Sequence, residues 1–148
     1  MKIFDCFMYF DEDVVLDVRL NTLNKYVDYF VIVESKFSHK GEKRNLKFDI
    51  KKFSEFKDKI IYLVYDKESN KIKNINETDT ENEKSEKYII NAIYRENGQR
   101  DYITEGLRNA SEEDLILISD LDEIPNLEKV NFNNINEKLI FFNQDMFY

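Results

Sequence analysis

The chain has 148 residues, one domain's worth and enough to enclose a core. A hydrophobic content of 42% with 14% aromatic residues excludes general disorder, and a net charge of −8 argues against nucleic acid or an anionic membrane surface as partner. The single cysteine, Cys6, excludes an internal disulfide, and no apolar run reaches the length of a membrane helix, so the expectation is a soluble, cytoplasmic chain with a buried, inert thiol.

Lys2 to Phe10 is an apolar and aromatic run that predicts a first strand, and Asp11-Glu12-Asp13 mark a helix start. Leu16, Leu20 and Leu23 fall at helical spacing, with Val15 and Val18 widening the stripe. Tyr29-Phe30-Val31-Ile32-Val33 predicts a second buried strand ending on Glu34, which completes a βαβ unit. Ser35 to Asn45 is polar, holding His39, Gly41 and the cluster Lys36, Lys40, Lys43 and Arg44. His39 reads as a surface loop residue, and the basic cluster suits either phosphate or solvent. Ile50, Phe53 and Phe56 recur at helical spacing, and Ile60 to Tyr65 predicts a third strand inside the sheet.

From Asp66 to Lys87, twelve of twenty-two residues are charged, which predicts a long mobile loop because so little apolar surface is available to offset ordering. Tyr88, Ile89 and Ile93 predict a helix broken or kinked at Asn97-Gly98. Tyr102, Ile103, Leu107 and Ala110 continue the stripe. Asn126 to Lys138 is Asn-rich and irregular, and Leu139-Ile140-Phe141-Phe142 predicts a fifth strand. The alternation is that of an α/β fold with a mostly parallel sheet, whose ligands sit beyond the carboxyl ends of strands where strand order reverses. Met8 to Glu12, Glu34 and Asp120 to Glu123 all fall at that edge.

The most informative stretch is Asp114-Leu115-Ile116-Leu117-Ile118-Ser119-Asp120-Leu121-Asp122-Glu123-Ile124-Pro125. Four apolar residues in succession predict an inner strand buried on both faces, and Pro125, unable to donate to a ladder, stops the strand from continuing. Asp120, Asp122 and Glu123 place three like charges within four positions, an arrangement that a hard divalent cation such as Mg²⁺ or Mn²⁺ relieves, with nucleotide phosphates filling its open positions. A solvated acidic turn has the same pattern in sequence.

Taken in order, Ile3-Phe4-Asp5-Cys6-Phe7, Asp11-Glu12, Leu16, Arg19-Leu20, Val31-Ile32-Val33-Glu34, Gln99-Arg100 and the block from Asp114 to Pro125 resemble glycosyltransferase family 17, which contains the β-1,4-mannosyl-glycoprotein β-1,4-N-acetylglucosaminyltransferases. The resemblance implies a GT-A fold, a Rossmann-like α/β sheet, over a single nucleotide-sugar-binding domain, 1–148, expected to lack a C-terminal acceptor half. It also implies transfer of a sugar, N-acetylglucosamine from UDP-N-acetylglucosamine, to a glycan or glycoprotein acceptor. Asp120 and Asp122 would hold Mn²⁺ or Mg²⁺. Phe7, Glu12, Glu34, Arg100 and Asp120 would bind the donor; the catalytic base is expected beyond the end of this chain, with Glu123 the one candidate within it. On the residues alone, Glu34 could equally cap a loop, and Arg100 could pair with Glu96 or Asp101 on its helix. The competing functions are a nucleotide-binding module without catalysis and a phosphohydrolase with a strand-end Asp nucleophile.

Overall fold

Runs of β-branched and aromatic residues without polar alternation suit strands covered on both faces. In the computed structural model, which describes residues 1–135 and 137–144, they form β1 (Ile3–Tyr9), β2 (Tyr29–Ser35), β3 (Ile60–Tyr65) and β4 (Leu115–Ile118). The four strands make one all-parallel sheet in the order β3-β2-β1-β4. Helix α1 (Asp13–Leu23) and the 3₁₀ segment Ile50–Phe56 contribute to one face, and α2 (Glu81–Asp101) and the 3₁₀ segment Tyr102–Leu107 to the other. This is a Rossmann-like α/β arrangement.

Each face has its own core. Ile3, Phe7, Phe30 and Ile32 pack with Leu16, Leu20, Leu23, Phe53 and Phe56, whereas Phe4, Cys6, Val31 and Val33 pack with Tyr65 and Ile103. The second face is held unusually close: a Cβ on Gly106 would lie 2.4 Å from Val31 Cγ1, so only glycine lets the 3₁₀ segment rest on β2 at this distance. Cys6 is fully buried, and burial, followed by the neighbouring Asp5 charge, pushes its thiol far above the usual range. Cys6 should therefore be silent to a thiol-titrating reagent at about pH 8 until the protein is denatured; rapid reaction of the native protein would contradict this packing.

Several expectations are corrected. β3 and β4 are the two edges of the sheet, not inner strands, and Ile118 is 56% exposed. Apolar faces report cover above and below a strand, which says nothing about whether a neighbour lies beside it. The charged segment expected as a loop to Lys87 ends sooner, because Thr80 and Glu83 form a reciprocal capping box that starts α2 at Glu81. That helix runs unbroken through Asn97-Gly98, since Gly98 sits against the Tyr65 hydroxyl and adjacent Gln99 donates to the Val33 carbonyl.

The stripe that suggested this helix is not its buried face: Tyr88, Ile89 and Ile93 are 56%, 62% and 47% exposed, while Asn91 and Gln99 are buried with backbone partners. Tyr102–Leu107 and Ile50–Phe56 are 3₁₀, not α. On α1, Val18 faces outward and Arg19 takes the buried place. Leu139–Phe142 forms no strand; Ile140, Phe141 and Phe142 line a cleft with Ile116 and Ile118 but make no ladder with β4. Asn136, within the irregular Asn-rich stretch, lies outside the described residues.

Candidate functional site

The chain leaves β1 toward β2 and β3 on one side and reaches β4 on the other, so strand order reverses between β1 and β4. A crevice at the carboxyl ends of such a pair is where open α/β sheets bind ligands. A cavity of about 850 Å³ lies there. Met8, Tyr9 and Phe10 at the end of β1 form one wall, Asp120, Leu121 and Asp122 after β4 another, and Ser38, His39, Lys40 and Glu42 a third. Glu12, Glu96 and Gln99 complete the polar lining. The third wall is a turn closed by the Phe37–Lys43 bridge, with Gly41 at φ 91°, and Arg95 of α2 donates to the His39 carbonyl beneath it. Of the basic cluster, Lys40 faces the cavity, Lys36 pairs with Asp66, and Arg44 pairs with Glu34 and stacks on the Phe10 ring at 3.9 Å.

The cavity is acidic. Glu12, Glu42, Glu96, Asp120 and Asp122 line it against a single lysine. Arg100 Nη2 bridges Glu96 Oε1 and Asp120 Oδ1, each at 3.0 Å. The Asp122 carboxylate makes no hydrogen bond or ion pair with any described residue; only its backbone carbonyl is used, by Ile124 N–H. Glu12 accepts from the backbone N–H of Phe10 and Asp11, both at 3.0 Å, and so fixes the β1–α1 turn. Tyr9 donates to Asp13 at 2.7 Å; burial, then this contact, pushes its phenol well above the usual range, so it is protonated at neutral pH.

The turn that carries the carboxylates is pinned from inside. Leu121, between the two aspartates, is buried in the core, and Arg19 of α1 reaches the turn's backbone. Arg19 Nη1 donates to the carbonyls of Asp120, Leu121 and Glu123 at 2.7, 3.0 and 3.3 Å. Nη2 donates to Ser119 Oγ at 2.8 Å. Its remaining N–H groups form a two-pronged pair with Asp5 at 2.7 and 2.8 Å, and its plane lies over the Phe7 ring at 4.6 Å. Both charged partners are fully buried.

Of the residues singled out in the sequence, Glu12, Asp120 and Asp122 share the cavity and Arg100 joins them through Asp120. Phe7 is buried beneath Arg19. Glu34 is fully buried, its carboxylate taken up by Lys47 and Phe48 N–H, the Tyr62 hydroxyl and Arg44. Glu123 does not line the cavity; it accepts from Asp120 N–H and, with Asp120 and Asp122, lines a second cleft against Ile140–Phe142. Sequence reasoning assigned no role to Arg19, Asp5 or Gln99, while the pairing of Arg100 with Glu96 that it offered is present. The available signal for Arg19 was its place in the leucine stripe of α1, where a cation stands among Leu16, Leu20 and Leu23.

Two carboxylates, one without a partner among the described residues, suit a hard divalent ion that draws its other ligands from phosphate and water. Among the described residues no group of three or more His, Cys, Asp or Glu converges in a way that could hold a metal ion. No helix among the described residues is long and apolar enough to cross a membrane. The sequence matches the family model of Glycosyltransferase family 17 over residues 1–139. No curated protein and no solved structure matches it.

Proposed function

The chain belongs to glycosyltransferase family 17 and is a glycosyltransferase, and from that premise we propose that it uses a divalent cation and a nucleotide-sugar donor, UDP-N-acetylglucosamine, to glycosylate a glycan acceptor. The observation that carries this reading is the unpartnered Asp122 carboxylate in an acidic cavity at the strand-order reversal, beside an Asp120 already balanced by Arg100. A diphosphate entering such a cavity meets five carboxylates and one lysine, so its binding needs an added positive charge. Asp120 and Asp122 would hold Mn²⁺ or Mg²⁺, which as a Lewis acid offsets the charge that builds on the departing diphosphate.

The chain's own residues supply the rest. Arg100 uses only Nη2 for its two carboxylates, so the N–H groups of Nε and Nη1 are left for single contacts with phosphate oxygens. Lys40, from the facing wall, adds a second positive group. Glu12 fixes the turn between β1 and α1 through two backbone N–H groups, so Met8 to Phe10 present a rigid floor. The test is calorimetric titration of UDP and of UDP-N-acetylglucosamine with Mn²⁺ and with chelator, repeated with Asp122→Ala. Binding that requires Mn²⁺ and falls at least roughly tenfold in the variant is expected, as removal of a metal ligand should do more than the loss of a supporting contact. Binding of neither compound under any metal condition would leave family membership intact but overturn the donor and metal assignment.

A further inference from the structure

The buried face of α1 should be apolar, and at Arg19 it is not. We infer that Arg19 is the positioning residue of the donor site, holding the carboxylate turn in the one conformation that sends Asp120 and Asp122 into the cavity together; this rests on the function proposed above. Five guanidinium N–H groups meet six acceptors, and four of these, Ser119 Oγ and the carbonyls of Asp120, Leu121 and Glu123, belong to the turn. With carbonyls drawn inward on Arg19 and the Leu121 side chain drawn inward into the core, Asp120 and Asp122 on either side of it are left at the surface, where they line the cavity and border the neighbouring cleft. Asp5 contributes to this indirectly. Its two oxygens hold one edge of the guanidinium, which aims the other edge at the turn and neutralises a cation that could not otherwise be buried.

A lysine could keep the charge beside Asp5, but its three donors cannot serve this acceptor set. The contact with the site is therefore geometric as well as electrostatic, and a variant can separate the two.

The experiment compares the wild type with Arg19→Lys, Ser119→Ala and Leu23→Ala. Leu23→Ala is a control that loosens the same helix from the same core without removing any hydrogen bond to the turn. Two quantities are read at a temperature where each variant is folded: affinity for UDP in saturating Mn²⁺, and amide hydrogen exchange of residues 119–124. The expected result for Arg19→Lys is affinity weaker by roughly 10–100-fold, the usual effect of losing a group that orients metal ligands, with faster exchange confined to the turn. Ser119→Ala should show the same signature more weakly, and Leu23→Ala should leave affinity within about twofold and turn exchange unchanged. Affinity and turn exchange in Arg19→Lys that match the Leu23→Ala control would overturn the inference and leave Arg19 as a core ion pair only. If Arg19→Lys does not fold, the double variant Asp5→Leu, Arg19→Met decides, since it removes the turn's donors without stranding a charge, and turn exchange at the wild-type rate there overturns the inference. Should the wild type bind no UDP, the donor assignment fails by itself, and the exchange of residues 119–124 still decides whether Arg19 holds the turn.

Discussion

Arg19→Met is expected to lower unfolding free energy by about 3–5 kcal/mol, the range measured when one partner of a buried ion pair is removed. Both side chains are fully excluded from solvent, so no water can replace the lost donors without opening the sheet face. Methionine fills much of the volume, and the loss therefore comes from two sources other than a cavity. Asp5 is left as a buried, uncompensated charge, the Leu121 carbonyl loses its donor, and the Asp120 and Glu123 carbonyls keep only Ser119 Oγ and, for Asp120, the Glu123 N–H. For a chain of this size the midpoint should fall by roughly 10 °C or more.

The double variant Asp5→Leu, Arg19→Met separates the two sources. It removes the stranded charge, and a buried pair replaced by apolar groups is often neutral, so part of the stability should return. The part that does not return belongs to the turn. Urea unfolding of wild type, single and double variants with a common slope measures this. A loss below about 1 kcal/mol in Arg19→Met would mean that water reaches the guanidinium and that the site is open from beneath.

Glu34→Ala is the second large effect, expected at about 3 kcal/mol. Glu34 Oε1 accepts from Lys47 N–H at 2.7 Å and lies 3.0 Å from Arg44 Nη1, and Oε2 accepts from Phe48 N–H at 3.1 Å and the Tyr62 hydroxyl at 2.8 Å. A single carboxylate therefore fastens the strap 44–48 to the end of β2. The strap in turn stacks Phe48 on Tyr62 at 4.5 Å and Arg44 on Phe10 at the cavity rim. Truncation leaves these donors unserved and frees the strap, so exchange at residues 44–48 should rise more than in β1. Glu34→Gln keeps an acceptor and should lose less. Tyr62 offers an independent readout. Burial first, and then its contact with Glu34, pushes its phenol above the ordinary range, so losing the anion should bring its ultraviolet titration to lower pH. An unchanged titration with unchanged stability would show that Glu34 does not hold the strap.

Much of the fold was legible one residue at a time. The apolar run Ile3–Tyr9, the leucines of α1 and the run Tyr29–Ser35 each carry their element in local composition, because strand and helix periods are set by the backbone. Asp120 and Asp122, followed by Pro125, mark a strand end loaded with charge, and the expected place of that charge at the strand-order reversal agrees with the sheet order β3-β2-β1-β4. The start of α2 was equally local, in Thr80 and Glu83, but the charge density around them hid it. The exposed Tyr88, Ile89 and Ile93 then suggested the wrong face of that helix, since periodicity gives spacing and not which side meets the sheet.

The α/β class, the βαβ opening and the position of the paired aspartates are written in the amino-acid order, because each depends on neighbours within a few residues. Only the assembled fold makes β3 and β4 edges, leaves Leu139–Phe142 without a ladder, turns Glu34 inward and sets Arg19 on a turn 100 residues away. These features share one cause. Each depends on a partner distant in the chain, and an arginine or a glutamate becomes buried only when that partner supplies enough hydrogen bonds and opposite charge to offset its loss of water.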